Sequence, residues 1–333
     1  MTRPLSRGTR PLWSTLAGTA LMLAVSAGAQ AQTDYPNRTL RVVVPFPAGA
    51  GADSNARLIS QKLAESLKQT VVVENRPGAN GILGTDAVAK ASPDGYTLLF
   101  VDRGALGINP SLYKQLPYDP LKDLAYVGIA VWGPYVVVAK KDLDAKTFAD
   151  FTALAKQQPK KLNYASFGNG SMTQMGTESL SAFQGIELTH IPYKGGAPAL
   201  GAAMSGEVDI AMVTIGSALG AIKDGRVKPL LVGGTQRSAL LPDVPSVSEI
   251  GGNADTIPNT YFGFAVPAAT PPAIIKQLST AIQQVIAQPD VRQRMIANGF
   301  EPANGSPEEM AEVVSRDIRS FGELARKLGI QPE

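Results

Sequence analysis

Residues able to do covalent or metal chemistry are scarce in this chain of 333. It has one histidine, His190, and no cysteine. A serine nucleophile needs a base to take its proton, and a tetrahedral metal site needs several His or Cys ligands. One His and scattered carboxylates supply neither, so no catalytic residue, metal or cofactor is assigned. His190 lies in the strand-like run Leu188-Thr189-His190-Ile191-Pro192 and reads as a packed or hydrogen-bonded residue. The chain has no GxxxxGK[ST] phosphate loop and no GxSxG nucleophile elbow.

Two stretches of small residues are more telling. Leu40-Arg41-Val42-Val43-Val44 runs into Pro45-Phe46-Pro47-Ala48-Gly49-Ala50-Gly51-Ala52-Asp53, and a helical pattern follows at once. Such a loop lets backbone N–H groups close on an anion, and the helix N-terminus adds donors and a favourable dipole. Phe46, Ala48, Gly49, Ala50, Gly51 and Asp53 are the candidate contacts there. Gly49-Ala50-Gly51 opens a dinucleotide fingerprint, but Ser54 stands where its third glycine belongs. The second stretch, Tyr164 to Gln174, again leads from a strand into a helix. It offers Ser166, Asn169, Gly170, Ser171 and Thr173. Two such loops on facing domains would hold an acid at both ends. Thr214 closes a later strand. Arg103 follows the third strand and could pair bidentately with a carboxylate. The alternative for Arg103 is a surface residue, solvated or paired with Asp102. Tyr261 and Phe262 could wall a cleft or fill a hinge core.

The elements that must position these residues alternate. After the first strand, Asp53 or Ser54 caps a helix whose apolar face is Ile59, Leu63 and Leu67. Strands are expected at 70–74 and 96–101, with a helix through 86–90 between them. A second block has helices at 148–157, 172–183, 197–204 and 218–223, and strands at 162–166, 188–192, 208–214 and 227–232. Extended segments at 126–140 and 261–266 read as crossovers, and helices at 273–286 and 307–328 end the chain. Alternation of this kind predicts right-handed βαβ units and a mostly parallel sheet in each of two α/β domains. Ligands of open α/β sheets bind at the C-terminal ends of strands, so two facing domains make a cleft.

Residues 1–31 read as a secretory signal peptide. Arg3, Arg7 and Arg10 precede an apolar stretch from Leu12 to Val25, and Ala29-Gln30-Ala31 is a cleavage site. The formal net charge is +3. Without those three arginines the remaining 28 basic residues balance the 28 acidic ones. The footprint of a nucleic-acid binder is therefore missing. An exported chain without cysteine makes no disulfides and must rely on its core.

Several motifs then occur in one order: Pro45-Phe46-Pro47-Ala48-Gly49, Val73-Glu74-Asn75-Arg76-Pro77-Gly78-Ala79, Pro93-Asp94-Gly95-Tyr96-Thr97, Ile108-Asn109-Pro110-Ser111-Leu112-Tyr113, Leu162-Asn163-Tyr164-Ala165-Ser166, Pro192-Tyr193-Lys194-Gly195 and Leu241-Pro242-Asp243-Val244-Pro245. This set resembles the Bug-type substrate-binding proteins of tripartite tricarboxylate transporters over the whole chain after the leader. The resemblance implies a type II-like periplasmic binding protein, with residues 32–134 and 254–333 as domain 1 and 135–253 as domain 2. It implies a monomeric receptor without catalysis that closes on a small carboxylate, often a dicarboxylate, and works with the transporter's membrane subunits. Phe46 through Gly51 would hold one carboxylate by backbone amides and ordered waters, and Ser166 through Thr173 the other end. The chain departs from the family pattern at Gln174 (often His), at Thr214 (often Asp) and at Asp102-Arg103-Gly104 (commonly small and polar). Two other readings are a receptor that feeds a signalling protein and an exported enzyme using Asp53, Arg103 or His190.

Overall fold

The computed structural model describes residues 1–2, 35–49, 51–253, 255–327, 329–330 and 332. Apart from its first two residues the expected leader lies outside them, as does Ala50. Residues Met1–Asn37 form a unit of their own, and the following concerns the compact unit Arg38–Glu333. Among the described residues no helix is long and apolar enough to cross a membrane.

The β-branched run forms β1 (Leu40–Val44), almost wholly buried. α1 (Gly51–Leu67) follows, burying Ala52, Ala56, Ile59 and Leu63 at helical spacing. It starts earlier than Asp53, which lies inside its first turn. β2 (Val71–Asn75), α2 (Ile82–Ala89) and β3 (Thr97–Asp102) complete two crossovers that place β2 and β3 parallel to β1 on either side. A π turn at Gly104–Ile108 leads into α3 (Asn109–Leu112).

The extended segment expected at 126–140 is two strands. β4 (Leu124–Gly133) belongs to the first sheet and β5 (Tyr135–Lys140) to the second, with Pro134 alone between them. The second sheet then receives β6 (Asn163–Ser166), β7 (Thr189–Pro192), β8 (Ile210–Thr214) and β9 (Val227–Val232). α4 (Phe148–Gln157), α5 (Met172–Gln184), α6 (Gly196–Ser205) and α7 (Ile215–Lys223) alternate with them. A Thr147–Asp150 capping box starts α4. The chain returns through β10 (Thr260–Pro267) and ends with α8 (Pro272–Ile286), α9 (Pro289–Ala297), β11 (Glu301–Pro302) and α10 (Pro307–Lys327). α3, α9 and β11 carry too little periodicity to be expected from the residues.

The strand orders are β11-β4-β10-β3-β1-β2 and β7-β6-β8-β5-β9. Both sheets are mixed, which corrects the expectation of mostly parallel ones. β10 runs antiparallel to β3 and β4, and β5 antiparallel to β8 and β9. The reason is the route of the chain. β5 and β10 each arrive from the other sheet with no α-helix in between, β5 across Pro134 alone and β10 through residues 233–259. They therefore enter at the edge where the parallel strands end, and must run back against them.

The first core joins Val43, Leu99, Val101, Ile129 and Tyr261 to Met310, Val313 and Val314 of α10. Farther along, Phe321 and Ala325 of α10 join the core of the second sheet, with Ile108, Leu112, Tyr164 and Met175. The buried stripe of α10 thus serves both cores, and it contains one charged residue, Asp317. Its partner is Arg103, which is neither solvated nor paired with Asp102. Arg103 Nε and Nη2 donate to the two Asp317 oxygens at 2.8 and 3.0 Å, and Nη1 donates to the Asn259 carbonyl. Both side chains are buried. Burial pushes the Asp317 carboxyl up, and Arg103 only partly pulls it back. Removing one partner of such a pair strands the other charge. Arg103→Ala and Asp317→Ala should each cost ~3–5 kcal/mol in urea unfolding, whereas Arg103→Met with Asp317→Leu should recover most of that loss.

Candidate functional site

Both small-residue loops sit at the C-terminal ends of parallel strands, one on each sheet. In the first, Ala48, Gly49 and Gly51 are exposed and Phe46 is half-buried. Gly49 has φ +81°, with open space where a side chain would stand. Its backbone conformation, not crowding, calls for glycine.

Asp53 lies beneath this loop and is 3% exposed. Its carboxylate accepts the Gly49 N–H at 2.9 Å, Arg57 Nε at 2.9 Å and Asn75 Nδ2 at 2.8 Å. Asn75 Nδ2 also reaches the Phe46 carbonyl at 3.1 Å, and its Oδ1 accepts from Arg57 at 2.8 Å. Burial pushes the Asp53 carboxyl up, but the bonds from Arg57, Gly49 and Asn75 outweigh it and hold it below its ordinary value. Asp53 is thus an ionised brace with its acceptors filled from inside the chain. The Gly49 N–H is spent on it. The Phe46 ring packs edge-on against Phe262 at 5.7 Å, and Phe262 meets Phe300 at 5.9 Å. Tyr261, by contrast, is fully buried beside Trp132, in the core.

The second loop also turns most of its polar groups inward. The Phe167 N–H goes to Thr173 Oγ1 at 2.9 Å, the Gly170 N–H to Gln174 Oε1 at 2.6 Å and the Ser171 N–H to the Gly168 carbonyl at 3.2 Å. Ser166 Oγ accepts the Gly168 N–H at 3.1 Å, lies 3.0 Å from the Gly168 carbonyl and touches His190 Nε2 at 2.6 Å. These fill the capacity of a hydroxyl, two bonds accepted and one donated. Ser166 and Gly170 therefore shape the loop from within.

What the loop leaves unmatched is narrow. Among the described residues, no acceptor stands at the N–H groups of Asn169, Met172 and Thr173, the last two being the first positions of α5. Ser171 Oγ and Thr173 Oγ1 are 3.1 Å apart and share one hydrogen. Thr173 is buried and Ser171 half-buried, so the remaining hydroxyl proton is the serine's. Gly170 comes so close to Leu112 of α3 that a Cβ there would lie 2.3 Å from Leu112 Cδ1. This contact brings the second loop to the chain that leaves β3 on the first sheet. Thr214 is half-buried at the start of α7 and donates to Ser217 Oγ at 3.1 Å.

Arg103 is not brought to either loop, since its guanidinium is spent on Asp317 and Asn259. Neighbouring Asp102 accepts the Ala105 N–H at 3.0 Å, and burial pushes its carboxyl up to about 6. Three residues escaped the reading of the sequence. Asn75 sits in a motif quoted above, but nothing in its type says that it bridges Asp53 and Phe46. Asp317 interrupts an apolar stripe, a signal that was visible. Gln174 stood out only as a departure.

His190, Ser166 and Gln174 meet with the spacing of a hydrolytic triad but the wrong polarity. Gln174 Oε1 takes the Gly170 N–H, so its nitrogen faces His190 Nδ1, at 3.2 Å. The ring proton then sits on Nε2, facing Ser166, where a base would need a lone pair.

Two α/β lobes joined by two crossovers, each ending a parallel strand in an amide-rich loop, define a two-domain binding protein of the periplasmic type. A sequence profile described as the tripartite tricarboxylate transporter family receptor matches residues 55–330, and the chain belongs to that family. A UPF0065 protein of Bordetella pertussis is 34% identical over 320 residues, 96% of this chain and 97% of its own. Protein BugT of the same organism is 32% identical over 306 residues, 92% and 93% of the two chains. A Rhodopseudomonas palustris protein solved with adipate superimposes with a TM-score of 0.81 at 30% identity, covering 90% of this chain and 100% of that one. MatC of R. palustris, with bound malate, gives 0.76 at 32% identity over 87% and 99%.

The brace beneath the first loop can be tested directly. Asn75→Ala leaves Asp53 and the Phe46 carbonyl each short of a donor. A loss of ~1–3 kcal/mol in stability is expected, with faster hydrogen exchange at the Gly49 amide.

Proposed function

We propose that the chain is an exported receptor for a small dicarboxylate, which it holds between its two loops and delivers to the membrane subunits of a tripartite tricarboxylate transporter. The observation that carries this reading is the set of unmatched donors at the second loop, the amides of Asn169, Met172 and Thr173 with the Ser171 hydroxyl. The three amides have no acceptor among the described residues, and the serine proton is the one left over from the pairing of Ser171 with Thr173; all four lie at or just before the start of α5. On the first loop, Phe46, Ala48 and Gly51 are proposed to face the other carboxylate. Gly49, Asp53, Ser166, Gly170 and Arg103 act from behind, and Thr214 stands at the rim. Domain 1 is proposed to comprise residues 32–134 and 254–333, with 135–253 as domain 2. Adipate and malate, found in the two R. palustris relatives, set the size of acid to try first.

Neutral donors suit this task. A carboxylate taken from water is repaid by directed N–H bonds and a helix N-terminus, without a counter-ion that would have to be desolvated as well. The close approach of His190 to Ser166 favours a second reading, an exported hydrolase. The tautomer set by Gln174 opposes it.

A thermal-shift screen of four- to six-carbon aliphatic and aromatic dicarboxylates tests the proposal. At a hundredfold excess over Kd the diacid that binds should add about 2.7 kcal/mol of stability, and its monomethyl ester much less. Equal shifts for acid and ester would count against the two-ended site. Recovery of the acid chemically altered after incubation would favour the enzyme. Export is checked by intact mass, which should lack residues 1–31 in protein taken from the periplasm.

A further inference from the structure

Among the described residues the His190 side chain hydrogen-bonds only to Ser166, at the start of the second loop, and to Gln174 of its helix, and the order of protons around it is set by one backbone amide. The Gly170 N–H fixes the Gln174 oxygen at 2.6 Å, which turns the Gln174 NH2 toward His190 Nδ1. A donor opposite Nδ1 needs a lone pair there, so the proton is on Nε2 and is given to Ser166 Oγ. Ser166 passes its own proton to the Gly168 carbonyl and receives the Gly168 N–H. The path Gly170–Gln174–His190–Ser166–Gly168 starts and ends on the loop, and at each step along it a donor faces an acceptor.

One more proton breaks this order. With Nδ1 protonated, two donors face each other, and Gln174 can meet the ring only by turning its amide over. Its NH2 then faces the Gly170 N–H, so the conflict moves to the loop instead of being relieved. We propose that His190 and Gln174 are positioning residues that hold the second loop in its ligand-ready form, and that they do so only while the imidazole is neutral. This rests on that loop being half of the carboxylate site.

The surroundings give an imidazolium little help. β7 is an edge strand, so the elements against the ring are β6 and α5. β6 contributes Ser166 and Tyr164, whose ring stacks on His190 at 4.9 Å. α5 contributes Gln174 and the carboxylate of Glu178, which accepts the Tyr164 hydroxyl. Burial lowers the His190 pKa. Because the folded value lies below the unfolded one, the network is complete above the ordinary histidine pKa of about 6.5 and is lost as pH falls through the lower folded value.

A chain with one histidine gives one imidazole in a long-range 1H–15N spectrum. About one pH unit above the ordinary histidine value, the spectrum should show the proton on Nε2 and a bare Nδ1. On acidification the Gly168 and Gly170 amide signals should move with the same midpoint as the ring. Gln174→Glu supplies one carboxylate oxygen to Gly170 and one to a protonated Nδ1. It should raise the ring's midpoint by about one unit or more and leave the Gly170 signal nearly flat across it. His190→Gln keeps an N–H for Ser166 and should hold both glycine signals constant over the same range. A proton on Nδ1 above the midpoint, or glycine amides indifferent to the ring's titration in the unaltered protein, would overturn the proposal. If these spectra behave as described and no diacid binds, the carboxylate reading fails and the positioning role stands.

Discussion

A guanidinium taken out of water must be given back both its opposite charge and its hydrogen bonds. At Arg103 that requirement draws together three distant stretches of chain. The residue sits where β3 gives way to the π turn. Asp317, 214 positions later, supplies the charge from α10, and Asn259 supplies a carbonyl just before β10. The pair therefore fixes the end of a parallel strand, the helix that serves both cores and the start of a crossover strand. Such pairs add little net stability over apolar residues of the same size. They do resist any rearrangement that would leave one charge alone, which suits a junction on which both lobes depend.

The same economy governs the two loops. Each is built around side chains that consume backbone donors from inside, and only a few donors are left unmatched. Asp53 would repel an anion if its charge were bare. Filled by Gly49, Arg57 and Asn75, it becomes a post on which an amide-lined loop can be hung. Gln174 serves the second loop in the same way, using a neutral amide. In the proposed site, specificity for an anion would arise from which N–H groups are left unmatched, not from any cation placed to meet it.

Much of this architecture was legible in the residues, because it follows from period and punctuation. β1, α4 and β9 lie where β-branched runs and apolar spacing put them, and glycine-rich turns mark where strands hand over to helices. The direction of β5 and β10 was not legible, because strand polarity depends on where the chain comes from and leaves no mark on local pattern. Roles within the site were harder still. Arg103 at a strand's end has the same type and spacing whether it meets a ligand or a helix 214 residues away. Ser166 looks like a free hydroxyl until His190 and Gly168 are seen to occupy it. What could have been seen was Asp317, a charge in the middle of an apolar stripe, which demands a buried partner.

Pro134 is the whole of the link between β4 and β5. Its ring fixes one backbone angle and removes a donor, so the first crossing is short and stiff, while the return from β9 to β10 is long. For a ligand that bridges both loops, as proposed, the protein would act as a chelating agent whose bite this link limits. Once one carboxylate is held, the second loop is present at a high effective concentration, provided that the acid spans the gap. A tether that cannot stretch gives no credit to an acid of the wrong length. The number of carbons between two carboxylates would then be discriminated in part by a single proline in the link, whose carbonyl accepts the Ile215 N–H next to Thr214.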